Sequence, residues 1–410
     1  MTLIKQELHY IIIAIHDGSL SLIEEIGGKE MFKNIFKFIL VFVLLFCLSS
    51  SILFVFADTK SKLTTENTAN DLTYADMESL FADKIFTNEN GEIELKIEKD
   101  PELEDLLAKC KKKELKFGLA LGSGSARGLA HVGVIQALEA YHIPIDMIAG
   151  TSIGSVIGSL YAAGASIDQL EEAALSMKKS KTFSLIDPTL PHSGLISGKK
   201  IEKMLNGLAL KGKTFDDLRI PFAAVATDVE SGVEVILNQG KLIDAVRASI
   251  SIPGIFTPVK YQDYYLVDGG VVDPVPVDVL QKMGADVIIA VSLAKISPYT
   301  TVLTINKETG GLEEIEKSSV LQQKIEEVKS SFEGPNIFEV IVQSIDIMEA
   351  KITDQSLEGA DVVIVPFGIK DINLFDFDKA ESVIKGGMMA AMINISEIKR
   401  AIKEKLAMTE

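Results

Sequence analysis

Ser152 is the first residue whose surroundings predict chemistry, because residues 150–154 read GTSIG and fit the pattern G-x-S-x-G. A short apolar run precedes this pentapeptide and a helix-like pattern follows it, which is the context of a nucleophile elbow. A serine on so sharp a turn needs glycine at both flanks, since a Cβ would clash where the backbone reverses. The pattern predicts that Ser152 is a nucleophile and that Gly150 and Gly154 shape its turn. The pentapeptide alone is common, so this prediction depends on its context.

A second glycine-rich segment, GSGSARG at residues 122–128, follows an apolar run and precedes a helical pattern. Such a loop directs free backbone amides at an anion, and it has three interpretations: a phosphate cradle, an oxyanion hole or a structural turn. A Walker loop would end in Gly-Lys-Ser/Thr, and a dinucleotide fingerprint would place its third glycine where Arg127 stands. The oxyanion hole fits best, because an acyl-transfer serine requires donors for its tetrahedral oxygen.

The five histidines restrict the choice of base. They are His9, His16, His131, His142 and His192. In an α/β-hydrolase the catalytic histidine follows both the serine and the acid along the chain, usually far downstream, and this order is unavailable here. We expect His131 to be a packed or hydrogen-bonded helix residue, and the last two to lie in loops.

Asp268 is the candidate acid, since it ends an apolar run and is followed by Gly269 and Gly270. Two glycines after a strand-end carboxylate form a turn that lets another loop approach closely. On its own, Asp-Gly-Gly is a frequent turn, and it does not predict a catalytic role.

Taken together, GSGSARG, GTSIG and DGGVVDPVPV, in this order, resemble the patatin-like phospholipases, especially bacterial members related to neuropathy target esterase. The segment RASISIPGIFTPV at residues 247–259 is similar to the one that precedes the aspartate in that family. The resemblance implies a dyad in which Ser152 attacks an acyl ester and Asp268 takes its proton. It also implies that the amides of Gly122, Ser123, Gly124 and Ser125 stabilise the oxyanion, and that Arg127 and Gly128 support this loop. No cofactor is predicted.

The implied activity is hydrolysis of carboxylic esters in lipids, most simply phospholipid or lysophospholipid. The alternative is a noncatalytic, membrane-anchored module of the same fold that binds lipid. A nucleotide-binding protein is a weaker alternative. Headgroup preference, acyl-chain preference and oligomeric state are left open.

Composition excludes other partners. The formal net charge of -17 and the sequence pI near 4.9 provide no broad basic face, so nucleic acid is not an expected partner. Cys47 and Cys110 are the two cysteines, with no disulfide or metal spacing, and Cys110 is expected to be a bystander. The carboxylates and histidines also lack ligand spacing, so the sequence predicts no metal set.

Residues 38–57 form an uncharged apolar run, preceded by lysines and followed by Asp58. This pattern predicts a signal peptide or a transmembrane anchor, with the catalytic domain exported or held on the non-cytoplasmic side. Met31 opens a short basic stretch typical of an n-region, so we expect translation to start there.

From Leu115 onward, apolar runs alternate with amphipathic helical patterns, which predicts an α/β fold with a mainly parallel sheet, as in a patatin-like three-layer sandwich. The predicted organisation is an extension and anchor (1–57), a polar spacer (58–114), a catalytic domain (115–305), a charged helical insertion (306–336) and a C-terminal part that completes the domain (337–410). The predicted strands are 117–121, 147–149, 222–227, 233–237, 266–267, 287–292 and 362–365. Turn, capping or loop-shaping roles are predicted for Asp146, Asp228, Ser249, Ser251 and Asp273.

Overall fold

The computed structural model describes residues 74–88, 93–177, 187–189, 194–294, 303–305, 312–314 and 337–409. The apolar run 38–57, the proposed start at Met31 and three of the histidines lie outside these residues. Within them, every helix is too short or too polar to cross a bilayer.

Most of the described strands belong to one eight-stranded sheet. They are β3 (Phe117–Leu121), β4 (Met147–Thr151), β5 (Phe222–Asp228), β6 (Glu234–Leu237), β7 (Val259–Tyr261), β8 (Tyr264–Asp268), β9 (Val287–Val291) and β12 (Val362–Ile364). The strand order is β12-β9-β3-β4-β5-β8-β7, and β6 also pairs with β5. Neighbours from β12 to β5 are parallel, whereas β6, β7 and β8 are antiparallel to their partners. Two small antiparallel pairs stand apart: β1 (Ile85–Thr87) with β2 (Ile93–Leu95), and β10 (Leu303–Ile305) with β11 (Leu312–Glu314).

Helices accompany this sheet along the whole described chain. They are α1 (Tyr74–Leu80), α2 (Pro101–Lys112), α3 (Ala130–Ala140), α4 (Ile153–Ala162), α5 (Ile167–Leu175), α6 (Lys199–Leu205), α7 (Leu242–Ser249), α8 (Val277–Met283), α9 (Ile337–Ser356), α10 (Ala380–Ile393) and α11 (Ile395–Met408). Short 3-10 turns occur at Ser125–Leu129, Phe215–Asp217, Gly269–Val271, Ile369–Asp371 and Phe377–Lys379, and a π turn at Asn206–Leu210. The strands β3, β4, β5 and β9 are buried along their whole length, which explains why their sequences are continuously apolar. The predicted α/β fold with a mainly parallel sheet is confirmed.

Two strands end opposite each other on the same edge of β5. Ala224 and Val225 pair with both β4 and β6, while Ala226 and Thr227 pair with both β6 and β8. Since a strand has only two edges, β4 and β8 share the edge that β6 does not occupy. They run in opposite directions, so their carboxyl ends meet between Val225 and Ala226. This arrangement brings the residues that follow β4 and end β8 to one point.

The predicted spacer contributes to the core of the same fold. Helix α2 begins after the N-cap Asp100, whose Oδ1 accepts a hydrogen bond of 3.0 Å from the Leu103 amide, and Pro101 occupies its first turn. Leu103 and Leu106 on α2 are buried, as is Ile93 on β2. The polarity of this region does not reveal its packing, because the apolar residues are few and widely spaced.

All seven predicted strands are present, with ends that differ by no more than two residues. The predicted helical insertion at 306–336 requires a correction, because residues 312–314 form β11 and pair with β10. The β-branched residues Thr304 and Ile305 favour strand β10, which provides the pairing partner of β11. The rest of the insertion lies outside the described residues.

Candidate active site

Ser152 occupies a tight turn between β4 and α4, with φ 54° and ψ -121°. This backbone conformation is rare for a residue with a side chain, and it costs on the order of 1–3 kcal/mol. Glycine is required on both sides for reasons of space. A Cβ on Gly150 would lie 2.5 Å from the carbonyl oxygen of Gly154, and one on Gly154 would lie 2.0 Å from the carbonyl oxygen of Leu121. The GTSIG pattern therefore has the geometry of a nucleophile elbow.

The Ser152 hydroxyl donates a hydrogen bond of 2.6 Å to Oδ2 of Asp268. The other carboxylate oxygen of Asp268 accepts a hydrogen bond of 2.9 Å from the Gly270 amide. Both side chains are buried, with 6% and 2% of the residue surface exposed. Burial raises the pKa of Asp268 well above its usual range, while the hydrogen bonds from Ser152 and Gly270 oppose this shift. The result is a serine paired directly with a carboxylate of increased basicity.

Two serines that the sequence assigned to loop shaping hold this pair in place. Ser249 Oγ accepts a hydrogen bond of 2.9 Å from the Ser152 amide and donates one of 2.6 Å to the Val225 carbonyl. The Ser251 carbonyl accepts a hydrogen bond of 2.9 Å from the Asp268 amide. The last residue of α7 and the segment after it thus fix the backbone of Ser152 and Asp268 relative to β5.

The glycine-rich loop approaches the pair, but only half of the predicted oxyanion donors are available. The Gly122 amide donates to the last carbonyl of β9 at 3.1 Å, and the Ser123 amide donates to the Pro274 carbonyl at 2.8 Å. These two amides are held by neighbouring strands and loops, which the local sequence does not reveal. Among the described residues, the amides of Gly124 and Ser125 have no such partner, and both residues line the cavity with Ser152. We therefore restrict the candidate donors to Gly124 and Ser125.

Arg127 and Gly128 support the loop in different ways. The Arg127 side chain is 1% exposed, its Nε donates 3.3 Å to the Gly124 carbonyl, and its guanidinium pairs with Asp346 on α9. Gly128 allows Ile153 to pack against the loop, since a Cβ there would lie 2.2 Å from the isoleucine side chain. The loop is thereby packed against both α4 and α9.

The histidines in the described residues are not part of the Ser–Asp pair. His131 is fully buried, and its Nε2 lies 2.8 Å from the Gly122 carbonyl, so this nitrogen carries the hydrogen and donates. Burial lowers the pKa of His131 to about 4, which keeps the ring neutral. His142 occupies an exposed turn with φ 57°. These positions confirm that His131 is a hydrogen-bonded helix residue and that His142 lies in a loop.

Two acids on α9 were missed by the sequence reasoning. Glu349 Oε2 accepts a hydrogen bond of 2.7 Å from Ser123 Oγ, and a Cβ on Gly270 would lie 2.3 Å from Glu349 Oε1. Burial raises the pKa of Glu349, and repulsion by Asp268 raises it further. One feature of the sequence could have indicated them: Asp346 and Glu349 are two acids at spacing i, i+3 within an apolar helical stretch, so they lie on the same face of the helix.

Helix α9 closes the site and leaves a cavity of about 20 Å³, room for roughly one water molecule. A substrate ester is much larger than this space. The cavity is lined by Gly124, Ser125, Ser152, Ile252, Asp268, Val342, Ile345, Asp346, Glu349 and Leu374.

Other polar residues have the structural roles that the sequence predicted. Asp146 accepts a hydrogen bond of 2.8 Å from the Phe117 amide, and Asp228 accepts one of 3.0 Å from the Ser231 amide. Cys110 is buried, and burial raises the pKa of its thiol, which disfavours the reactive thiolate.

Part of this chain is similar in sequence to known proteins. Residues 119–280 match the family model described as Patatin-like phospholipase. An uncharacterized NTE family protein of Mycobacterium bovis is 40% identical over 178 residues, which are 43% of this chain and 49% of that protein. Human patatin-like phospholipase domain-containing protein 6 is 34% identical over 182 residues, 43% of this chain and 13% of its own.

The matched region is thus about half of the mycobacterial relative and a small part of the human one. The solved structure of VipD from Legionella pneumophila aligns over 78% of this chain and 70% of its own, with 13% identity and a TM-score of 0.37, an overlap too low to inform the fold. The matched segment begins within β3 and ends within α8, so it includes the glycine-rich loop, the elbow and the Asp-Gly-Gly turn. Residues 119–280 of this chain are therefore similar in sequence to a patatin-like phospholipase domain.

Proposed function

We propose that this protein hydrolyses carboxylic esters of lipids through an acyl-serine intermediate, with Ser152 as nucleophile and Asp268 as base. The observation that carries the proposal is the buried hydrogen bond of 2.6 Å between Ser152 Oγ and Asp268 Oδ2. A family match over residues 119–280 supports it independently.

The first step is attack of Ser152 Oγ on the acyl carbon while Asp268 accepts the hydroxyl proton. A carboxylate is a weak base for an alcohol, so the step requires stabilisation of the negative charge that develops on the substrate oxygen. The amides of Gly124 and Ser125 and the N-terminus of α4 supply positive partial charge at this position. When the tetrahedral intermediate collapses, Asp268 returns the proton to the leaving alcohol.

Water then attacks the acyl-serine. Asp268 accepts a proton from this water and returns it to Ser152 Oγ as the acid leaves, so the dyad ends in its initial state. Loss of an acid or base of this kind lowers turnover by roughly 10²–10⁴-fold.

Lipid is the proposed substrate class because α9, which closes the site, is also apolar on its exposed side. Val340, Ile341, Ile347 and Met348 are between 37% and 54% exposed. An apolar patch beside an active site is typical of a surface that contacts lipid. Contact with a lipid surface would give α9 a new environment and help the site to open.

The test is steady-state hydrolysis of nitrophenyl esters and of a panel of phospholipids and lysophospholipids by the full chain. We expect Ser152→Ala to abolish turnover and Asp268→Asn to lower kcat by roughly 10²-fold or more. Ser159→Ala removes another buried hydroxyl from α4, one that bonds only within its own helix, and should retain activity. Binding of lipid without turnover by the unaltered chain would instead support the noncatalytic module.

A further inference from the structure

Three carboxylates that the proposed reaction does not use lie close to one another. They are Glu234 on β6, Asp273 in the segment after β8, and Asp278 in the first turn of α8. One carboxylate oxygen of each lies within 4.8 Å of those of the other two. The sequence could not indicate this cluster, because its members come from separate segments without ligand spacing.

Each of the three residues has a buried oxygen without a hydrogen-bond partner in the described part of the chain. These atoms are Glu234 Oε1, Asp273 Oδ2 and Asp278 Oδ1. Asp273 is the most buried of the three residues, with 8% of its surface exposed. A buried carboxylate oxygen without a hydrogen-bond donor is unfavourable, so three of them together are a reason to look for a bound cation.

The nearby lysine does not satisfy these oxygens. Lys282 Nζ lies 2.6 Å from Asp278 Oδ2 and 3.5 Å from Glu234 Oε2, which are the other oxygens of those two carboxylates. Ser356 provides a hydrogen bond to Asp273. When all four charged groups are ionised, three carboxylates and one ammonium leave a local charge that a divalent ion would balance.

We propose that Glu234, Asp273 and Asp278 bind a divalent cation of the calcium type. Oxygen ligands of this kind suit hard cations such as Ca²⁺, Mg²⁺ and Mn²⁺ and not zinc with its nitrogen and sulfur ligands. Ligand oxygens lie about 2.3–2.6 Å from Ca²⁺, so two of them on one ion are at most about 5.2 Å apart, as the cluster permits. The Asp278 side chain is 45% exposed, which leaves an entry path and room for water ligands.

The cation would stabilise the segment that joins both halves of the active site. The Asp273 carbonyl accepts a hydrogen bond of 3.0 Å from Thr151 Oγ1, directly before Ser152. The next carbonyl, that of Pro274, accepts the 2.8 Å bond from the Ser123 amide in the glycine-rich loop. The site is thus structural, and it does not depend on the proposed reaction.

The test is calorimetric titration of the chelator-treated full chain with Ca²⁺, Mg²⁺ and Mn²⁺, together with thermal unfolding, in the absence of any substrate. We expect saturable binding of one Ca²⁺ and a rise in Tm. Asp273→Asn and Glu234→Gln should each weaken binding by roughly tenfold or more. Asp263→Asn removes the same charge from the exposed turn between β7 and β8 and should leave binding unchanged.

Lys282→Gln separates this proposal from the possibility that the lysine is the only cation of the cluster. Removal of the ammonium should tighten Ca²⁺ binding, since it frees two oxygens and removes repulsion. Absence of saturable binding by the unaltered chain, or a Lys282→Gln variant that loses stability and gains no affinity for Ca²⁺, would overturn the proposal. Unchanged binding by Glu234→Gln with native circular dichroism would overturn it as well, even if Asp273→Asn does not fold.

Discussion

His131 should make the protein less stable as the pH falls, because the folded state cannot accommodate its charged form. The ring is fully buried and donates to the Gly122 carbonyl, and burial lowers its pKa from 6.5 to about 4. At a pH between these two pKa values, His131 is protonated in the unfolded chain and neutral in the folded chain. The free energy of unfolding therefore rises with pH in this range and falls as the pH is lowered.

The size of the effect follows from linkage. With pKa values of 6.5 unfolded and about 4 folded, this side chain alone lowers the free energy of unfolding by about 2 kcal/mol between pH 7.5 and pH 5. Other groups titrate over the same interval, so the quantity to measure is the difference between the unaltered chain and a variant without an ionisable group at this position.

His131→Gln is that variant, since an uncharged amide can donate to the same carbonyl. Urea unfolding at pH 7.5 and pH 5 should show that the unaltered chain loses about 2 kcal/mol more than the variant. His142→Asn, at the exposed histidine with φ 57°, should behave as the unaltered chain does. Equal losses by the unaltered chain and His131→Gln would refute the reasoning.

Three further predictions concern the site itself. Gly154→Ala should destabilise the protein by roughly 1–3 kcal/mol and abolish ester hydrolysis, since the new Cβ would lie 2.0 Å from the last carbonyl of β3. Glu349→Gln should remove an alkaline decline in kcat/KM, because Glu349, whose pKa is raised by burial and by Asp268, places a second negative charge beside the oxyanion loop when it ionises. Asp346→Asn should lower the free energy of unfolding, measured in urea, by about 3–5 kcal/mol, because it leaves the buried Arg127 charge unpaired. The double variant Arg127→Met with Asp346→Leu should recover most of this stability.

Each of these has a control or a contrary outcome. Gly207→Ala introduces a Cβ that meets nothing within 4 Å, so it should leave both stability and hydrolysis intact. A pH profile of Glu349→Gln that retains the alkaline decline would assign that decline to another group. If Arg127→Met with Asp346→Leu is no more stable than Asp346→Asn, the unpaired Arg127 charge is not the reason for the lower free energy of unfolding.

The sequence predicts those features of the protein that depend on residues adjacent in the chain. Strand β3 is predicted at its observed bounds because a parallel strand buried on both faces is apolar throughout. The turn at Ser152 is predicted because the backbone reversal excludes a Cβ at Gly150 and Gly154. Asp268 was identified through the order of three motifs, since an Asp-Gly-Gly turn is too common to be informative alone.

The parts that the sequence does not reveal depend on distant partners. Glu349 meets Ser123 across 226 residues, and no local pattern predicts which loop α9 will cover. No local pattern gives the amides of Gly122 and Ser123 a hydrogen-bond acceptor, but in the fold they donate to carbonyls of β9 and of the segment after Asp268. The cluster formed by Asp273 with acids of β6 and α8 requires the completed sheet.

The most direct test of the Ser152–Asp268 dyad is to map the covalent adduct that a fluorophosphonate leaves on the full chain by peptide mass spectrometry. We expect one adduct, on Ser152, whose formation is much slower in Asp268→Asn and absent in Ser152→Ala. An adduct on a different residue, or undiminished labelling of Ser152→Ala, would contradict it.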